Sequence, residues 1–104
     1  MTPEKKVQNK IEKYLDELIS QGIPIYYERR QAQGVGYKYG LPDLFLVING
    51  IHVEVEVKAP NGDVRAAQEK WEMRFKNLGI LYTRPHSLEE FKNFIFNELP
   101  NMLK

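Results

Sequence analysis

At 104 residues, with 42% apolar and 28% charged side chains, the chain has the size and composition of one soluble globular domain spanning residues 1–104. Fifteen basic residues against fourteen acidic ones give a net charge of +1, so a nucleic-acid partner would have to be held by local patches rather than by an overall field. The absence of cysteine excludes disulfides, thiolate zinc sites and cysteine nucleophiles, and no apolar run approaches the roughly 20 residues of a membrane span.

The opening Met1-Thr2-Pro3-Glu4-Lys5-Lys6 carries no apolar centre of the signal-peptide kind, and the expected address is a cytoplasm. Thr2 as N-cap and Pro3 at the first helical position begin a helix in which Glu4, Val7, Gln8, Ile11, Tyr14, Leu15 and Leu18 recur at helical spacing, ending near Ser20 to Gly22. Ile23 to Tyr27 is a short β-prone run. The stretch from Glu28 to Gly40, rich in glycine, tyrosine and basic residues, reads as an irregular or hairpin-forming loop. Two apolar runs then flank Asn49-Gly50, the strongest short-range hairpin signal, because both central residues of a type I′ turn need positive φ. After the breaker Ala59-Pro60-Asn61-Gly62, Asp63 is placed to cap a helix with an inward stripe of Ala67, Trp71, Phe75 and Leu78, closed by Gly79. Ile80 to Thr83 reads as a strand. Ser87-Leu88-Glu89-Glu90 is a capping box opening a last helix with Phe91, Phe94, Ile95 and Leu99 as its apolar face. The order helix, strand, hairpin, helix, strand, helix predicts an α/β layer fold, one small mixed sheet flanked by helices.

The hairpin turns scattered charges into a candidate site. Pairing Ile48 with Ile51 and counting outward sets Asp43 opposite Glu56, and Lys58 shares the face of Glu56 by the strand period of two. Two carboxylates plus one main-chain carbonyl make a sufficient cradle for a hard divalent cation such as Mg²⁺, and Asp43, Glu56 and the Val57 carbonyl supply that set. Lys58 is placed to orient an attacking water or to stabilise developing negative charge. The same three side chains also suit a cross-strand ion pair on a solvated sheet face. Two polar residues interrupt apolar stripes: Gln68 should face the sheet near the site, and Glu4 lies on the core side of the first helix, where the helix dipole also favours a carboxylate. Glu12 and Glu54 read as solvated, and neither His52 nor His86 has a ligand pattern. Arg29, Arg30, Tyr37, Lys38 and Tyr39 precede Asp43, with basic groups suited to phosphates and tyrosines suited to stacking on bases, although the same residues equally suit a flexible loop with ordinary solvated charges. Lys5, Lys6, Lys10 and Lys13 read as the solvent face of the first helix.

Gly40-Leu41-Pro42-Asp43, then Glu56-Val57-Lys58, then Gln68, resembles the PD-(D/E)XK nuclease superfamily and specifically its VRR-NUC (virus-type replication-repair nuclease) family. The resemblance extends to the Thr-Pro-Glu opening of the first helix, the Gly62-Asp63-Val64-Arg65-Ala66-Ala67-Gln68 segment and Leu78-Gly79-Ile80, and so covers nearly the whole chain. It implies a restriction-endonuclease-like core in which Asp43 and Glu56 are metal-binding acids, Val57 lends its carbonyl, Lys58 is the catalytic lysine, Gln68 a supporting glutamine and Glu4 the first-helix glutamate. It further implies Mg²⁺- or Mn²⁺-dependent hydrolysis of DNA phosphodiester bonds, with Holliday junctions or other branched DNA as substrates. The address becomes the cytoplasm of a bacterial cell or a phage-infected host. Stand-alone members resemble junction resolvases in being homodimers; the surfaces available here are the loop around Tyr37 and Phe91, Phe94 and Phe96 of the last helix, which core packing explains equally well. Two readings from other classes stand beside it: a non-catalytic nucleic-acid-binding or assembly module that keeps the fold, and a metal-free domain in which Asp43, Glu56 and Lys58 form only an ion-pair network.

Overall fold

A computed structural model of the chain describes residues 1–30, 40–62 and 66–99. Helix α1 spans Pro3–Ser20; the Thr2 hydroxyl accepts the Lys5 N–H at 3.1 Å, and Val7, Gln8, Ile11, Leu15 and Leu18 are buried. Its end is closed by Gly22, at φ 91°, with Gly22 N–H donating to Ile19 and Ile23 N–H to Leu18. Because Ile23 serves that closure and Pro24 has no N–H, strand β1 begins two residues later than the sequence suggests and covers Ile25–Arg29.

Strands β2 (Leu44–Ile48) and β3 (Ile51–Val55) form the expected hairpin, with Asn49 at φ 50° and Gly50 at φ 85°. Their register runs from Ile48 opposite Ile51 to Leu44 opposite Val55, which leaves Asp43 and Glu56 as the next residues outward. Helix α2 is Ala66–Asn77, β4 is Leu81–Thr83 and α3 is Leu88–Glu98. The Asp63 cap lies outside the described residues. Gly79, at φ 78°, closes α2 as expected, but Leu78 is 69% exposed. It sits past the last helical residue, where the inward stripe no longer applies. Ser87 accepts the Glu90 N–H at 3.1 Å, while the Glu90 carboxylate takes the N–H of His86 at 3.0 Å.

The sheet order is β1-β2-β3-β4, antiparallel up to β3 and parallel between β3 and β4, whose connection passes through α2. Helices α1 and α3 bring Ile11, Leu15, Phe91 and Ile95 into one cluster with Leu44, Leu46, Ile48, Val53, Val55 and Val57, all fully buried. Each such side chain contributes about 1.5–3 kcal/mol through removal from water. Phe94 packs against this cluster and Phe91 lies within it, so of the aromatic residues of α3 considered for a dimer surface Phe96 is the exposed one. On the other face, α2 stacks Trp71 and Phe75 over Tyr82, with ring centroids 5.7 and 6.5 Å apart.

Candidate metal centre and active site

Strand β3 and the extended residues that follow it alternate strictly. Val53, Val55 and Val57 join the apolar core, whereas Glu54, Glu56 and Lys58 point to the α2 face, yet all six are buried. Beyond the regular ladder, Glu56 N–H donates to Thr83 and Lys58 N–H to Pro85, so the backbone that carries the site is still held in a parallel pairing.

Asp43 closes the other side, its Oδ2 accepting the Val57 N–H at 2.8 Å. That placement depends on Gly40, whose φ of 86° favours glycine and whose added Cβ would lie 2.8 Å from Ala67 Cβ and 2.9 Å from Ala67 C. The turn leading to Asp43 thus rests directly on the first turn of α2, the turn that carries Gln68. Gln68 Oε1 accepts from Lys58 Nζ at 2.5 Å and its Nε2 donates to Glu56 Oε2 at 3.0 Å, so one amide fixes both neighbours. From the start of α1, Glu4 completes the group: carboxylate oxygens of Glu4, Asp43 and Glu56 lie within 4.8 Å of one another.

The electrostatics favour a cation. Glu56 Oε1 is buried with no hydrogen-bond partner, an arrangement that is costly unless something else fills the position. Burial, and then the charge of Asp43, push the Glu56 carboxyl up to about 9, with Lys58 opposing and Glu4 adding to the rise. Three carboxylates this close repel unless positive charge lies between them, and an all-oxygen donor set of this kind fits Mg²⁺ or Mn²⁺. Asp43, Glu56, Lys58, Gln68 and Glu4 are brought together as the sequence suggests, and Val57 joins them through its N–H on Asp43.

Other residues fall differently. Glu54 is fully buried rather than solvated: Arg30 Nη1 and Nη2 donate to its two oxygens at 2.5 and 2.9 Å, and His52 Nε2 lies 2.6 Å from Oε2. Glu12 is partly buried, accepting from Arg29 Nε at 2.8 Å and from Gln8 at 3.1 Å. In the free protein, then, both Arg29 and Arg30 face carboxylates of the chain itself. Tyr37, Lys38 and Tyr39 lie outside the described residues. Sequence reasoning missed Tyr82, whose hydroxyl is buried without a partner and is pushed up by burial and then by the charge of Glu56. The signal for it was modest, a tyrosine at the central position of a three-residue strand.

No family model matches the sequence, and no curated protein matches it. The solved structure of a VRR_NUC domain is similar to it, with a TM-score of 0.67 and 23% sequence identity over 91% of this chain and 96% of that one. The chain has the fold of that VRR_NUC domain, a restriction-endonuclease-like α/β layer in which the described residues form a four-stranded mixed sheet flanked by three helices.

Proposed function

We propose that this chain is a metal-dependent DNA endonuclease of the VRR-NUC family, hydrolysing phosphodiester bonds in Holliday junctions or other branched DNA during replication, repair or recombination. The observation that carries the reading is the convergence of Glu4, Asp43 and Glu56 around an unpartnered buried oxygen, with Lys58 held beside them by Gln68. Asp43, Glu56, Glu4 and the Val57 carbonyl would hold Mg²⁺ or Mn²⁺, which when bound polarises a phosphoryl oxygen and lowers the pKa of water.

The chain's own groups do the rest. Lys58 presents an ammonium that orients the attacking water and meets the negative charge that develops on the phosphoryl oxygens. Gln68 keeps that ammonium from folding back onto Glu56 by occupying both with one amide. The exposed portions of Arg29 and Arg30, with Tyr37 and Lys38, are the proposed contacts to the phosphates and bases of the strand being cut. Two copies of the chain would present two centres to the two strands of a junction, in the cytoplasm of a bacterial cell or phage-infected host.

Cleavage of labelled duplex, flap, splayed and four-way-junction DNA with Mg²⁺, Mn²⁺ or EDTA tests the reading. Metal-dependent cutting that disappears in Lys58→Ala supports it. No cutting of any substrate by folded, metal-bound protein overturns it.

A further inference from the structure

Glu54 is a fully buried carboxylate that the proposed hydrolysis does not use, and its partner Arg30 contacts more than Glu54. A buried ion pair is weak evidence of stabilisation by itself, since well-packed apolar replacements are often as stable. Among the described residues, the remaining contacts of Arg30 gather around Asp43. Its N–H donates to the Asp43 carbonyl at 2.7 Å, its Nη1 to the Pro42 carbonyl at 3.2 Å, and its guanidinium lies 5.1 Å from the centroid of Phe45. The two carbonyls that flank the Asp43 Cα and the aromatic ring two residues beyond it are thus gripped by one side chain and its backbone.

We infer that Arg30, anchored by Glu54, is a positioning residue for Asp43. Glu54 fixes the guanidinium by a two-pronged pairing, and the same planar fork reaches the Pro42 carbonyl. A lysine, a point charge on a flexible stem, cannot match both contacts. With the Pro42-Asp43 backbone held, the Asp43 carboxylate is left in register with the Val57 N–H and beside Glu56. The consequence for a bound cation rests on the nuclease reading, but the positioning itself belongs to the metal-free chain.

The test compares wild type, Arg30→Lys and the apolar double variant Arg30→Met/Glu54→Leu, which leaves no buried charge unpaired. Two quantities are read by NMR and by Mn²⁺ titration: amide exchange of Val57 relative to the core amide of Leu46 in metal-free protein, and Mn²⁺ affinity. A merely structural role would move both amides together. Positioning predicts that Val57 exchanges faster relative to Leu46 in the double variant and that Mn²⁺ binds about 10–100-fold more weakly, the usual range for groups that orient a metal's ligands. Arg30→Lys should fall between. Wild-type exchange ratio and Mn²⁺ affinity in a folded double variant, or in Arg30→Lys if the double variant does not fold, would overturn the inference. If wild type binds no Mn²⁺, the nuclease reading fails while the Val57 ratio still decides the positioning of Asp43.

Discussion

From Val53 to Lys58, the two sides of β3 and the extended residues after it are both dry and chemically opposite. Val53, Val55 and Val57 have no exposure, and Glu54, Glu56 and Lys58 on the reverse have 0, 1 and 5%. On the first side burial is the stabilising event, because apolar surface leaves water. On the second, burial is a cost that each ionisable group must recover through a partner: Arg30 and His52 for Glu54, Gln68 for both Glu56 and Lys58. One strand therefore separates a face that holds the fold from a face that gathers buried charge. The leftover imbalance on the reactive face, the unpartnered Glu56 oxygen, is where a cation fits.

Substitutions should pull these two faces apart. Phe91→Ala, on the apolar side, is expected to lower the unfolding free energy by about 3–5 kcal/mol. Urea unfolding would measure it, and cleavage per folded molecule should be unchanged. Lys58→Ala should do the reverse, reducing the cleavage rate by about 10²–10³-fold, the range for one lost transition-state donor, with the thermal midpoint little altered. Gly40→Ala bridges the two: a positive φ and a clash with the Ala67 backbone should cost about 1–3 kcal/mol and, by lifting Asp43 away from Gln68, reduce cleavage as well. A variant that lost stability alone would show that the turn before Asp43 does not set the centre.

A pH series sharpens the contrast. Between the ordinary carboxylate value and about 9, Glu56 is protonated in the folded metal-free chain and ionised in the unfolded one. Folding then takes up a proton, so stability falls as pH rises through that window, by at most about 1.4 kcal/mol per pH unit for a single group. Denaturation of metal-free protein from pH 5 to 9 should show this slope, and Glu56→Gln should flatten it. Cation binding requires the ionised acid and should tighten over the same range. The smallest effect is expected at Ser87→Ala, about 1 kcal/mol of stability from a lost N-cap and no change in rate.

What the sequence revealed were features decided by neighbours along the chain. Thr2 and Ser87 cap the helices they precede, Asn49-Gly50 sets the hairpin, and that register delivers Asp43 to Glu56. Gln68 was legible because a polar residue on an apolar stripe has to point at something. The misreadings were of residues whose partners come from far along the chain. Glu54 meets an arginine 24 positions away and Glu12 one 17 positions away, both reached only once β1 lies beside β2 and α1 packs on the sheet. Neither charge alternation in a strand, for Glu54, nor angular position on a helix, for Glu12, can announce a partner on a different element, so both acids looked solvated.

The Asn49-Gly50 turn lies at the opposite end of the hairpin from Asp43 and Glu56, about 20 Å away at the usual rise per residue. It nevertheless works as the ruler of the centre, since every pairing between the turn and the acids is counted from it. Adding one residue to only one strand would carry Asp43 off the face it shares with Glu56 and onto the valine side of the sheet, with no atom near that pair altered. The chemistry of this small domain is thus specified by a length, and the residues that keep that length belong to the site as fully as those that touch it.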